Sequence, residues 1–148
     1  MGLLYELADE LRHHARRRLW SHDRAQGRRG EDIAHRFLQR AGIVVVARNY
    51  TMSSGEGEID LVGWDHGTLV FVEVKSRASA EYGPPERSVD PEKERNIVRA
   101  ARDFALRAGV PWEMVRFDIV TVIFGTPPAV THFRDAFSVE ESGFRGRH

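Results

Sequence analysis

The stretch GEIDLVGWDHGTLVFVEVKSR, residues 57–77, sets Glu58, Asp60, Glu73 and Lys75 among Ile, Leu, Val and Phe. Side chains alternate along a strand, so Glu58, Asp60 and Val62 share one face of the first run. Leu69, Phe71, Glu73 and Lys75 share one face of the second. With His66 and Gly67 as a two-residue turn and Asp65 facing Thr68, counting back sets Asp60 opposite Glu73 and Glu58 opposite Lys75. Directly opposed side chains have Cβ atoms about 4.5–5.5 Å apart. Two ionised carboxylates at about 5 Å repel by on the order of 3 kcal/mol at an effective dielectric near 20. Such a pair calls for a proton or a cation. A hard divalent ion, Mg²⁺ or Mn²⁺, takes one or two carboxylates together with waters and substrate phosphate. Lys75 beside it could orient a water or neutralise a phosphate, which is the constellation for metal-assisted phosphodiester hydrolysis.

Plainer readings exist for each group. Glu58 and Lys75 also suit a cross-strand ion pair near the strand ends, and Asp60 also suits a salt bridge to an arginine. Glu-x-Lys by itself is common on exposed strand faces. An aspartate one hairpin upstream, on the matching face and in register, makes the pattern more specific.

The elements that must position these groups follow from periodicity. Ile33, Ala34, Phe37, Leu38 and Ala41 form an apolar stripe in GRRGEDIAHRFLQRAG, and Gly42 stops that helix. Glu31 falls in its first turn on the buried side. IVVVARNY reads as a strand and TMSSGEG as a loop before the hairpin. The stretch Ser76 to Val89, with glycine and paired prolines, reads as a long irregular loop. Asp90-Pro91 supplies an N-cap and first-turn proline for a second helix. Its stripe is Ile97, Val98, Ala101, Phe104, Ala105 and Ala108, which Lys93 extends toward the helix start. Arg95, Arg99 and Arg102 occupy an adjoining face, suited either to phosphate contact or to solvent. VRFDIVTVIF is a further strand, and AVTHFRDAF an edge strand after the PP break. Asp118, inside VRFDIVTVIF, reads as the partner of an arginine and not as part of the metal pair.

The chain has 148 residues, with 22 basic and 22 acidic side chains, and no cysteine. Disulfides and thiolate zinc sites are thereby excluded, and a reducing, cytoplasmic setting is expected. No apolar run reaches the roughly 20 residues of a membrane helix. The seven histidines show no metal-binding spacing. Residues 1–24 read as an N-terminal helical extension with Leu4, Leu7 and Leu11 at helical spacing, followed by a polar linker, SHDRAQGRRG. The arginines crowded there suit a solvated helix face, a phosphate contact or an oligomer contact. Residues 25–138 form the expected domain, and residues 139–148 a flexible tail.

GRRGEDIAHRFL, GEIDLV and FVEVKSR, in that order, resemble the PD-(D/E)xK nuclease superfamily. The closer resemblance is to the YraN family of small bacterial proteins, regarded as predicted endonucleases similar to Holliday-junction resolvases. It spans about Gly27 to Phe137. Ile59 stands where the superfamily name places a proline. The resemblance implies an α/β, restriction-endonuclease-like α-β-β-β-α-β core, with a mixed central sheet flanked by helices. It also implies Asp60, Glu73 and the backbone carbonyl of Val74 as ligands of Mg²⁺ or Mn²⁺, with Lys75 placing the attacking water. Glu31 would reach the metal directly or through water, although an acid at a helix start also suits the helix dipole. Glu58 and Lys93 are accessory candidates, and Arg77, Arg95, Arg99 and Arg102 are candidates for nucleic-acid contact.

The expected function is therefore metal-dependent hydrolysis of DNA, branched or structured forms included, by a cytoplasmic protein with no membrane association. The neutral net charge favours an alternative, a catalytically weak nucleic-acid-binding or adaptor protein that retains the fold. A homodimer built through the N-terminal helix would offer two sites to a two-fold symmetric substrate.

Overall fold

A five-stranded mixed sheet, in the order β1-β2-β3-β4-β5, carries one helix on each face. The structure, a computed structural model, describes residues 25–79 and 89–138. The N-terminal leucines and arginines, the middle of the 76–89 stretch and the C-terminal tail lie outside these residues. The strands are β1 (Val44–Thr51), β2 (Glu58–Asp65), β3 (Thr68–Arg77), β4 (Val115–Ile123) and β5 (Ala129–Phe133). Helix α1 covers residues 25–40 and α2 runs Pro91–Ala108. A short 3-10 turn, Trp112–Met114, leads into β4. This is the α-β-β-β-α-β order expected of a restriction-endonuclease-like core, with β5 appended at one edge.

Pairing is antiparallel from β1 to β2 and from β2 to β3, parallel from β3 to β4, and antiparallel again to β5. Only the parallel step needs a crossover, and α2 supplies it. Two apolar layers result. Ala34 and Leu38 of α1 pack on Leu61, Val70, Val72, Val120 and Val122. Ile97, Val98, Ala101 and Ala105 of α2 pack on Val62, Leu69, Phe71, Phe117 and Ile119 from the opposite side. Strands buried on both faces explain why the β3 and β4 sequences are almost continuously apolar.

Two local expectations change. The segment after Ala25, expected to continue the linker, is already helical. Gly30 sits in that helix because a Cβ there would lie 2.8 Å from the Cβ of Ser76. It permits close packing of α1 on β3 and does not break the helix. Ser76 and Arg77, expected in the loop, are the last residues of β3, held by pairing with Val122 and Ile123.

The ends of α2 form as their residues dictate. The Asp90 carboxylate accepts from the Lys93 amide at 3.0 Å, Pro91 opens the first turn, and Gly109, at φ 68°, closes the helix. Gly57 matters for position. A Cβ there would stand 2.4 Å from the Asn96 carbonyl oxygen and 3.1 Å from the Ala100 Cβ. The entry to β2 is thus pressed against the first half of α2, which carries Lys93.

Candidate functional site

The turn behaves as its residues predict: Asp65 pairs with Thr68 across His66 and Gly67. The positive φ, 58°, falls on His66, whose ring nitrogen Nδ1 lies 3.0 Å from Asp65 Oδ1. From this turn the β2–β3 ladder runs back to Leu61 and Val72 and ends there. The strict cross-strand positions expected for Asp60 with Glu73, and for Glu58 with Lys75, therefore lie beyond the ladder. Glu58 pairs instead with Thr51 of β1.

A side-chain contact takes over where the ladder stops. The Val74 amide donates to Asp60 Oδ2 at 2.8 Å. The Asp60 and Glu73 carboxyls lie within hydrogen-bonding reach of each other, and Glu73 is buried at 5% exposure. Burial pushes the Asp60 pKa well above the ordinary carboxylate range, and the adjacent Glu73 pushes it the same way. The Val74 amide and the Lys93 ammonium pull in the opposite direction without cancelling these effects. Lys93, from the first turn of α2, brings its Nζ into contact with Glu73 Oε1. No arginine is among the partners of Asp60 in the described residues.

Lys75 lies on β3 two residues beyond Glu73, on the same face by strand alternation. Its parallel register partner on β4 is Thr121, just as Ile119 is the partner of Glu73. Thr121 is buried at 4% exposure, and among the described residues its hydroxyl has no hydrogen-bond partner. Nothing in the sequence singles out Thr121, because the register of a parallel pair joined through a helix is set by packing.

Glu31, expected in the first turn of its helix, falls in the second turn of α1 and lies beside β1. Arg48 of β1 approaches its Oε2 at 3.5 Å and binds Asp32 at 2.8 Å. Burial raises the Glu31 pKa, contacts with Asn49 and Arg48 oppose the rise, and the field of Glu58 adds to it. Its neighbours are thus β1 and the start of β2. Among the arginines, Arg99 reaches Glu56 at 3.7 Å and Arg102 lies over the Trp112 ring at 4.5 Å. Arg95 is exposed, and Arg77 ends β3 beyond Lys75.

The donor set suits a hard cation. Two carboxylates in contact, one of them destabilised as an anion by burial, gain most from a doubly charged neighbour that takes oxygen ligands. Among the described residues no group of three or more His, Asp or Glu side chains gathers. An ion at Asp60 and Glu73 would therefore complete its shell from backbone oxygen, water or substrate.

Asp118 belongs to a separate network on the other face. Fully buried, it accepts from Arg116 Nε at 2.9 Å and Nη2 at 3.0 Å, and from the Asp135 amide at 2.9 Å. His132 Nε2 lies 2.7 Å from its Oδ2. Arg116 and Arg134 both donate to Asp65 Oδ2, at 2.9 and 2.8 Å. These bonds tie β2, β4, β5 and the following turn together. Asp118 pairs with an arginine, as its sequence position suggests.

No helix among the described residues is long and apolar enough to cross a membrane. Residues 30–122 match the family described as "Uncharacterised protein family UPF0102". A UPF0102 protein of Solibacter usitatus (strain Ellin6076) is 53% identical over 137 residues, covering 93% of this chain and 99% of the relative. A UPF0102 protein of Rhodococcus jostii (strain RHA1) is 41% identical over 119 residues, covering 79% of this chain and 99% of its own length. One from Anaeromyxobacter sp. (strain Fw109-5) is 44% identical over 118 residues, covering 79% of this chain and 87% of the relative. The chain belongs to the UPF0102 family, also called the YraN family.

Proposed function

We propose that the protein is a metal-dependent nuclease that hydrolyses phosphodiester bonds of DNA, branched or structured forms included. One observation carries the reading: Asp60 and Glu73 meet at the mouth of a parted strand pair, with Lys93 in contact and Lys75 on the same face. Asp60, Glu73 and the Val74 carbonyl would hold Mg²⁺ or Mn²⁺. When bound, such an ion polarises a phosphate oxygen and lowers the pKa of a coordinated water.

The chain's own groups do the rest. The Val74 amide fixes the Asp60 carboxylate, so the acid is set before substrate arrives. Lys75 offers an ammonium to the attacking water or to a non-bridging phosphate oxygen, and Thr121 lies at its register position. Arg77, next along the same strand face, serves the flanking phosphate backbone. The test is cleavage of branched and linear DNA with Mg²⁺ or Mn²⁺. Wild-type cleavage abolished in Asp60→Ala is expected; no cleavage, or cleavage unchanged in that variant, would sink the proposal.

A second reading, a nucleic-acid-binding or adaptor protein that keeps the fold, draws on two observations. The formal net charge is zero, and the Lys93 ammonium is engaged with Glu73. A salt-dependent gel shift without hydrolysis would favour it.

A further inference from the structure

Glu73 already has a cation. Lys93 Nζ touches its Oε1, yet the two side chains are held very differently: Glu73 is 5% exposed and Lys93 48%. Glu73 is buried on β3, with its backbone paired to Ile119 of β4, so its carboxylate has little room to turn away. The backbone of Lys93 is pinned, because its amide is bound to the Asp90 cap. Its side chain is a long flexible stem lying half in water. Rotating that stem outward breaks the contact with Glu73 and moves no core residue. A cation that binds Glu73 Oε1 competes with this ammonium for the same oxygen.

We propose that Lys93 is the built-in counter-cation of the acidic pair, and that it must leave Glu73 before a divalent ion can be held there. The proposal rests on the reading of Asp60 and Glu73 as metal ligands. It differs in sign from a supporting role. A lysine that merely orients Glu73 would strengthen metal binding, so its removal would weaken the site. A lysine that competes for the same oxygen opposes binding, so its removal tightens the site.

The experiment is a calorimetric titration of MnCl₂ into the full-length protein, without DNA, at fixed pH and ionic strength. Wild type, Lys93→Met, Lys93→Gln and Glu73→Gln are compared, with melting curves to show that each is folded. Both Lys93 variants are expected to bind Mn²⁺ about tenfold more tightly than wild type, the scale for removing one competing charge from a partly buried carboxylate. Glu73→Gln is expected to lose binding. Binding in the Lys93 variants with none in wild type would support the proposal in its strongest form. Equal or weaker binding in both Lys93 variants would overturn it and leave the metal site standing on the wild-type result. Unchanged affinity in Glu73→Gln would overturn it as well. Silence in wild type and both Lys93 variants, with all of them folded, would remove the metal site and this proposal together.

Discussion

The Val74 amide donates to the Asp60 carboxylate at 2.8 Å, just past the last β2–β3 pair, Leu61 with Val72. A side chain there supplies the acceptor that the parted partner strand does not. Asp60 is thereby fixed beside Glu73 at an electrostatic cost to the metal-free protein. That cost is measurable.

Asp60→Asn removes the charge and keeps an oxygen for the Val74 amide. The metal-free variant is expected to be more stable than wild type at neutral pH by about 1 kcal/mol, a rise in melting temperature of a few degrees. Melting curves in chelator check this. A lower melting temperature for the variant would show that the two acids are not in conflict.

The hairpin was legible because a two-residue turn and strand alternation together fix the pairing near the turn, from Asp65–Thr68 onward. The point at which β2 leaves β3 was not, since it depends on α2 pressing on Gly57 and on the pull of β1 on Glu58. Glu31 shows the same limit. Its helical face was readable, but its partners Arg48 and Asn49 come from a strand with an irregular register between Val45 and Ala47. The elements and their order needed only periodicity, and the restriction-endonuclease-like core was what the resemblance implied. The site needed contacts across elements.

Two of the tightly packed glycines and one loosely packed glycine make opposite predictions. Gly57→Ala forces a Cβ to 2.4 Å from the Asn96 carbonyl, so α2 must shift, at an expected loss of about 2 kcal/mol or more. Gly30→Ala meets Ser76 at 2.8 Å and should also destabilise. At Gly27 nothing lies within 4 Å of an added Cβ, and the position is helical, so Gly27→Ala is expected to stabilise by up to about 1 kcal/mol. Urea denaturation of the three variants distinguishes them. Equal effects at all three positions would refute the packing argument.

The network on the other face predicts an acid limb. Contacts with His66 and then Arg116 hold the Asp65 pKa at about 2, below its ordinary 3.8. For Asp118, burial works upward, but His132, Arg116 and the Asp135 amide outweigh it and leave the pKa lowered. A depressed folded-state pKa means stability that is fully present above the unfolded value and lost as pH falls through the folded one. Wild type should therefore lose stability between about pH 4 and pH 2, and Asp65→Asn should flatten that limb. Asp118→Ala, which takes the carboxylate from His132 and leaves Arg116 with Asp65 alone, should cost about 3 kcal/mol at neutral pH. Denaturant unfolding at a series of pH values measures both.

Arg77 and Arg102 separate a nucleic-acid role from a structural one. Arg102 follows Lys93 by nine residues, about 14 Å along the α2 axis, and its guanidinium covers the Trp112 ring. Arg102→Ala is expected to cost about 0.5–1 kcal/mol of stability and to leave the salt dependence of DNA binding unchanged. Arg77 stands at the end of β3, two residues past Lys75. If it contacts phosphate, Arg77→Ala lowers the slope of log affinity against log salt by about 1, the signature of one lost phosphate contact. Gel shifts over a range of salt concentrations read the slope directly. A slope change in Arg102→Ala with none in Arg77→Ala would move the nucleic-acid face from the carboxyl end of β3 to the far end of α2.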